Sequence, residues 1–315
     1  MKAGFTPLWL DCGGTVPRNP SGREMAVSVE SSPQPASAHV IVLGSHKDGV
    51  GKTTIAMHVA VALLNFGQRV ATLDLDAQRQ TLTQYVAHRR AAGSSGLRRP
   101  THLVSTGGSR LLVEEEAIEF FSIVDAVTSI GATHDVIVVD TPASDSDLIR
   151  FVHSLADTLI TPLDSRLDGD IAGAYDAQLT GTQHYAELVR GARQRRNRAD
   201  GKSIDWVVVR NRLSATEARE SGAASKGLNG LAGRLAFRCV EGLAERAVYG
   251  ELFARGLTVL DRLDQATLGA PPNLAHVTAQ REVTSLITGL ALPVGPGQWP
   301  SPPIAPLGEH DLLKT

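Results

Sequence analysis

Nine residues, His46-Lys47-Asp48-Gly49-Val50-Gly51-Lys52-Thr53-Thr54, lead from an apolar β-branched run, His39–Leu43, into a helix-patterned stretch, Lys52–Phe66. A glycine-rich strand-to-helix turn ending in Gly-Lys-Thr-Thr supplies what a polyphosphate needs. Backbone N–H groups point out of a helix N-terminus, glycines permit close approach, a lysine meets the outer phosphates, and a hydroxyl can hold Mg²⁺. Asp48, Gly49, Val50, Gly51, Lys52, Thr53 and Thr54 are therefore the nucleotide-binding candidates. A turn that only joined a strand to a helix would not need this combination. His46 occupies the place of the first glycine in the ordinary phosphate-loop pattern.

The rest of the chain extends the same strand–helix alternation. Short, almost wholly apolar runs at Arg69–Leu75, Asp135–Asp140, Thr158–Thr161, Trp206–Val209 and Leu257–Leu260 read as strands covered on both faces. Helical patterns fall at Thr81–Arg90, Glu114–Ile130, Asp147–Leu155, Asp168–Val189, Leu243–Arg255 and Leu274–Leu290. This order predicts an α/β fold: one doubly wound, mostly parallel sheet flanked by helices, over residues 38–292. Residues 1–37 read as a disordered extension, with Met25 an alternative start. Residues 293–315 read as a flexible tail, with six prolines between Pro293 and Pro306. A net charge of −2 assigns any attraction to nucleic acid to a local patch. Two cysteines, Cys12 and Cys239, cannot make a disulfide framework or a cysteine-only zinc site. No apolar run reaches the ~18 residues of a membrane span, so the expectation is a cytoplasmic protein without a membrane partner.

Further acidic and amide residues sit at strand ends. Asp74 and Asp76 close Leu73-Asp74-Leu75-Asp76, and Asp140 closes Val136–Asp140 before Thr141-Pro142. A carboxylate at a strand tip can hold Mg²⁺ while its apolar run stays buried. The plainer reading is that such residues end a strand and cap the next helix. Asn211 follows Trp206–Val209 and offers a donor and an acceptor to a base edge, or serves as a turn residue. Ser144-Asp145-Ser146-Asp147 reads as a helix cap, and His134 and His153 as structural or surface residues.

Lys47, five positions before Lys52, resembles the deviant phosphate loop of the ParA/MinD ATPases. Within them, Lys52–Arg89, Asp140–Asp145, Asp205–Arg219 and Val248–Leu260 resemble the MipZ family. That resemblance implies ATP and Mg²⁺ as cofactors and slow hydrolysis. Lys47, Lys52 and Asp76 become the catalytic candidates: Lys47 reaches into a partner's site and Asp76 orients the attacking water. Thr53, Asp74 and Asp140 fall to the magnesium region, and Asn211 to the adenine. It also implies an ATP-dependent homodimer that inhibits assembly of the tubulin-like division protein FtsZ and associates with ParB and DNA.

Two departures bear on this inheritance. Asp48 stands where the family pattern has a glycine, adding bulk and like charge near a dimer axis. Two unit charges about 4 Å apart repel by ~4 kcal/mol at an effective dielectric of 20. The expectation is that nucleotide binding survives and dimerisation weakens, which opens an alternative: a monomeric nucleotide-binding adaptor. The stretch Arg219–Arg234, where relatives hold DNA, is dilute in basic residues and carries four glycines. A second basic run, Arg190 to Lys202, reads equally as a phosphate-contacting patch or as a solvated loop before Asp205. A metabolic enzyme sharing the loop would need a substrate domain or ligating cysteines.

Overall fold

A computed structural model of the chain describes residues 37–93, 96–104, 113–164, 185–212, 228 and 230–293. Seven strands form one sheet: β1 His39–Leu43, β2 Val70–Asp74, β3 Thr101–Val104, β4 Val136–Asp140, β5 Thr158–Asp164, β6 Asp205–Asn211 and β7 Arg238–Glu241. Their order is β3-β2-β4-β1-β5-β6-β7, and every pairing is parallel. The helices among the described residues are α1 Lys52–Asn65, α2 Thr81–Ala91, α3 Val113–Gly131, α4 Asp147–Leu155, α5 Tyr185–Asp200, α6 Ala247–Ala254, α7 Gln265–Leu268 and α8 Leu274–Leu290. The expected doubly wound parallel sheet is thus the observed one.

Apolar clusters cover both faces of the sheet. Ile41, Leu43, Val138 and Val207 face α1, α2 and α8 on one side, while Val42, Ile137, Leu159 and Val208 face the other. Helix α1 is buried from Ile55 to Leu64 without a polar stripe, as a helix enclosed on all sides must be. Strand β1 lies between β4 and β5, so the connections leaving β1 and β4 diverge. Open α/β sheets hold ligands in the crevice at such a switch point, beyond the carboxyl ends of the strands.

Several boundaries differ from expectation. Strands β3 and β7 carry no continuous apolar run, because each lies at an edge of the sheet and stays partly exposed. Leu257–Leu260 is not a strand. It is buried irregular backbone, apolar because it fills the core, and Asp261 ties it down by accepting from Thr258 N and Oγ1 at 2.7 and 2.9 Å. The Leu243–Arg255 pattern contains the shorter α6, since Leu243 to Arg246 remain extended beside β7. The basic run before Asp205 lies in helix α5 from Arg190 to Arg198, with Lys202 in the short connection that follows. The expected extension and tail, residues 1–36 and 294–315, lie outside the described residues, as do 168–184 of the predicted helix.

Candidate nucleotide-binding site

The loop from β1 to α1 turns on two left-handed glycines, Gly49 (φ 72°) and Gly51 (φ 96°). Gly51 is the N-cap of α1, with no side chain capping the first turn and no acidic residue in it. The helix therefore presents unpaired N–H donors and the positive end of its dipole, as an anion site requires. A Cβ on Gly51 would come within 2.2 Å of the Asn211 Nδ2 atom, so the loop is packed against β6 as well as bent.

Lys52 is the first residue of α1 and is buried, donating to Ser45 Oγ at 3.0 Å and to the Lys47 carbonyl at 3.2 Å. Burial lowers its pKa, against the pull of Asp140, Asp48 and Asp76. An ammonium held this way gains from an incoming anion. Beside it, Thr53 Oγ1 donates to Asp140 Oδ2 at 2.5 Å. The other oxygen of that carboxylate, Oδ1, is buried without a partner. Burial pushes the Asp140 pKa up to about 7, opposed by the Thr53 hydrogen bond. A buried carboxylate short of positive charge, next to a hydroxyl, fits a hard divalent cation with oxygen ligands. Among the described residues no three His, Cys, Asp or Glu side chains gather as a metal cage. A cation held mainly by phosphates and one or two protein oxygens is how Mg²⁺ is usually bound.

Asp74 and Asp140 are direct neighbours across β2 and β4. Asp74, expected near the metal, is committed elsewhere: Oδ1 accepts from Asp76 N at 3.0 Å, and Oδ2 from Thr83 N and Oγ1 at 2.9 and 2.8 Å. It fastens the β2–α2 loop to α2, the plainer reading of a strand-end carboxylate. Asp76 sits in that loop, half-buried, its Oδ1 accepting from Arg79 N at 3.1 Å. Asn211 is likewise a strut here: Nδ2 donates to the Val50 carbonyl at 2.7 Å, and Oδ1 accepts from Leu243 N at 2.9 Å. Lys47 is exposed and leans on Asp164 at the end of β5, 3.4 Å away. Thr54 lies in the first turn of α1, its carbonyl 2.7 Å from His58 Nδ1 one turn on.

Other contacts of the site carry no signal in the spacing. Asp48 is paired with Arg79, 2.5 and 2.8 Å across two nitrogens, and this holds its carboxyl below the usual range. Behind the loop, Gly44 has no room for a Cβ: His153 Nε2 and Tyr185 Oη would lie at 2.2 and 2.6 Å. His153 and Tyr185 are 3.0 Å apart, and Tyr185 Oη lies 3.3 Å from Thr161 Oγ1, which accepts from Trp206 Nε1 at 2.9 Å. This buried network makes His153 structural, as expected. Ser146 caps α4 by accepting from Ile149 N, which accounts for the Ser144–Asp147 sequence.

On α5, Arg193 donates to the Leu235 and Ala236 carbonyls, and Arg196 to Asp157 and the Leu155 carbonyl. Part of the basic run is thus fold structure, while Arg195 and Arg198 are exposed. Arg219 and Lys226 lie outside the described residues.

Comparison with known proteins gives the site its context. The family model for the ATPase MipZ matches residues 39–294. The antiactivator FleN of Pseudomonas aeruginosa is 27% identical over 144 residues, 40% of this chain and 50% of FleN. An iron-sulfur cluster carrier protein of Aquifex aeolicus is 50% identical over 42 residues, 13% of this chain and 12% of the carrier. The chain therefore spans half or less of the length of these relatives. Among solved structures, apo McdA of Cyanothece superposes with a TM-score of 0.51 at 16% identity, over 80% of this chain and 99% of McdA, a likeness of fold.

Proposed function

Because the chain belongs to the family of the ATPase MipZ, within the ParA/MinD superfamily, we propose that it is an ATP-driven molecular switch in division-plane positioning or chromosome segregation. The observation that carries this reading is the meeting of an uncapped helix N-terminus, buried Lys52, and the Thr53–Asp140 pair with its orphaned oxygen. The N–H groups of the loop and Lys52 bind the phosphates. Thr53 and Asp140 hold Mg²⁺, which neutralises phosphate charge when bound. Asp76 orients the attacking water, and the loop it shares with Asp74 sets its place. Hydrolysis is slow, so the bound nucleotide marks a state.

In the same proposal Lys47 gives up its 3.4 Å contact with the buried Asp164 carboxylate to complete the site of a second copy in an ATP-dependent homodimer. FtsZ and ParB are the partners, the dimer inhibiting FtsZ assembly, and the exposed arginines of α5 supply a salt-sensitive contact to non-specific DNA. Asn211 reaches the adenine only if its strut contacts exchange. The second reading, a monomeric adaptor, is favoured by Asp48. Its pairing with Arg79 removes the unpaired charge on which the expected repulsion rested, leaving only bulk.

The test is binding and turnover. Lys52→Ala is expected to lose ATP binding, and undiminished affinity would contradict the site. Asp76→Ala is expected to bind ATP and hydrolyse it more slowly; unchanged turnover would remove its role.

A further inference from the structure

Asp48 departs from the glycine of the phosphate-loop pattern and Arg79 lies outside it, yet they form a two-point ion pair at 2.5 and 2.8 Å. Asp48 is at the tip of the phosphate loop. Arg79 comes from the β2–α2 loop, where its own N–H bonds to Asp76, so the guanidinium and Asp76 ride on one turn. Its Nη1 lies 4.0 Å from Asp76 Oδ2. The pair thus joins the phosphate loop to the β2–α2 loop beside Lys52. Both side chains are about half exposed, 55% for Arg79 and 47% for Asp48, so a diffusible anion can compete for the pair. A terminal phosphate offers a guanidinium the same two-point geometry as a carboxylate, with more charge.

We propose that Arg79 reads the outermost phosphate of a bound nucleoside triphosphate, and that Asp48 holds Arg79 ready by standing in for that phosphate. This rests on the nucleotide-binding reading above. A triphosphate draws Arg79 from Asp48 and brings its charge in from the same chain, beside Asp76. A diphosphate lacks the outer group and leaves the pair closed. Asp48 therefore opposes triphosphate binding by competition, and Arg79 favours it.

Isothermal titration of the full chain with Mg²⁺-ATP and with Mg²⁺-ADP tests this. Arg79→Gln is expected to weaken ATP binding about tenfold, ~1.4 kcal/mol, with little change for ADP. Asp48→Asn is expected to tighten ATP severalfold and leave ADP unchanged. Lys52→Ala should weaken both nucleotides. If Lys52→Ala does so while Arg79→Gln leaves the ATP-to-ADP preference as it was, the nucleotide site stands and the role of Arg79 is overturned. If the unaltered chain binds neither nucleotide, both fall.

Discussion

The first two residues of α1 act through named contacts. Lys52 is positioned by Ser45 and the Lys47 carbonyl, and Thr53 by Asp140, so the cradle is formed before a ligand arrives. Preorganisation of this kind limits what is lost on binding. In the proposed function the orphaned oxygen of Asp140 marks the cation position more sharply than any motif. Asp140→Asn keeps the shape and the Thr53 contact and removes the charge. With nucleotide present, Mg²⁺ is expected to raise the melting temperature of the unaltered protein and to have little effect on Asp140→Asn. An equal rise in both would place the cation elsewhere.

Among the elements, α2 shows how the site is braced from behind. Arg89 is fully buried and donates to Asp261 at 2.8 and 2.7 Å and to the Gly256 carbonyl at 3.0 Å. Gly256 (φ 67°) passes so near that a Cβ would be 2.2 Å from Arg89 N. Removing one partner of such a pair leaves a buried charge uncompensated, so Arg89→Ala is expected to cost about 3–5 kcal/mol in urea unfolding. A loss below about 1 kcal/mol would show that water enters there. The strands that build the site were legible in the sequence because β1, β2, β4, β5 and β6 are covered on both faces and read as unbroken apolar runs. Edge strands β3 and β7 lack that run, and Leu257–Leu260 imitates it by filling core without pairing. The glycine-rich loop, Lys52, Thr53 and Asp140 were legible for a chemical reason, since phosphate and cation demand those types at that spacing. The Asp48–Arg79 pair and the His153–Tyr185–Thr161 network were not, because they join residues 24 to 32 positions apart through the fold alone.

For the whole molecule, the sheet order places the loops after β1, β2 and β4 around one crevice, with Asp164 of β5 and Asn211 of β6 beside it. Lys47 and Asp48 lie exposed on the rim of that crevice, where a second copy would meet it. No described helix is long and apolar enough to cross a membrane. Without a triphosphate the charge on Asp48 is answered by Arg79, and a dimer formed once Arg79 has turned to the outer phosphate has to meet that carboxylate with other charge. The measurement that bears most directly on an ATP-driven switch is sedimentation velocity in Mg²⁺-ATP and in Mg²⁺-ADP, with Asp48→Gly alongside. The unaltered chain is expected to sediment as a dimer in ATP and as a monomer in ADP. The same coefficient in both nucleotides, with a shift only in Asp48→Gly, would contradict it and leave the monomeric adaptor.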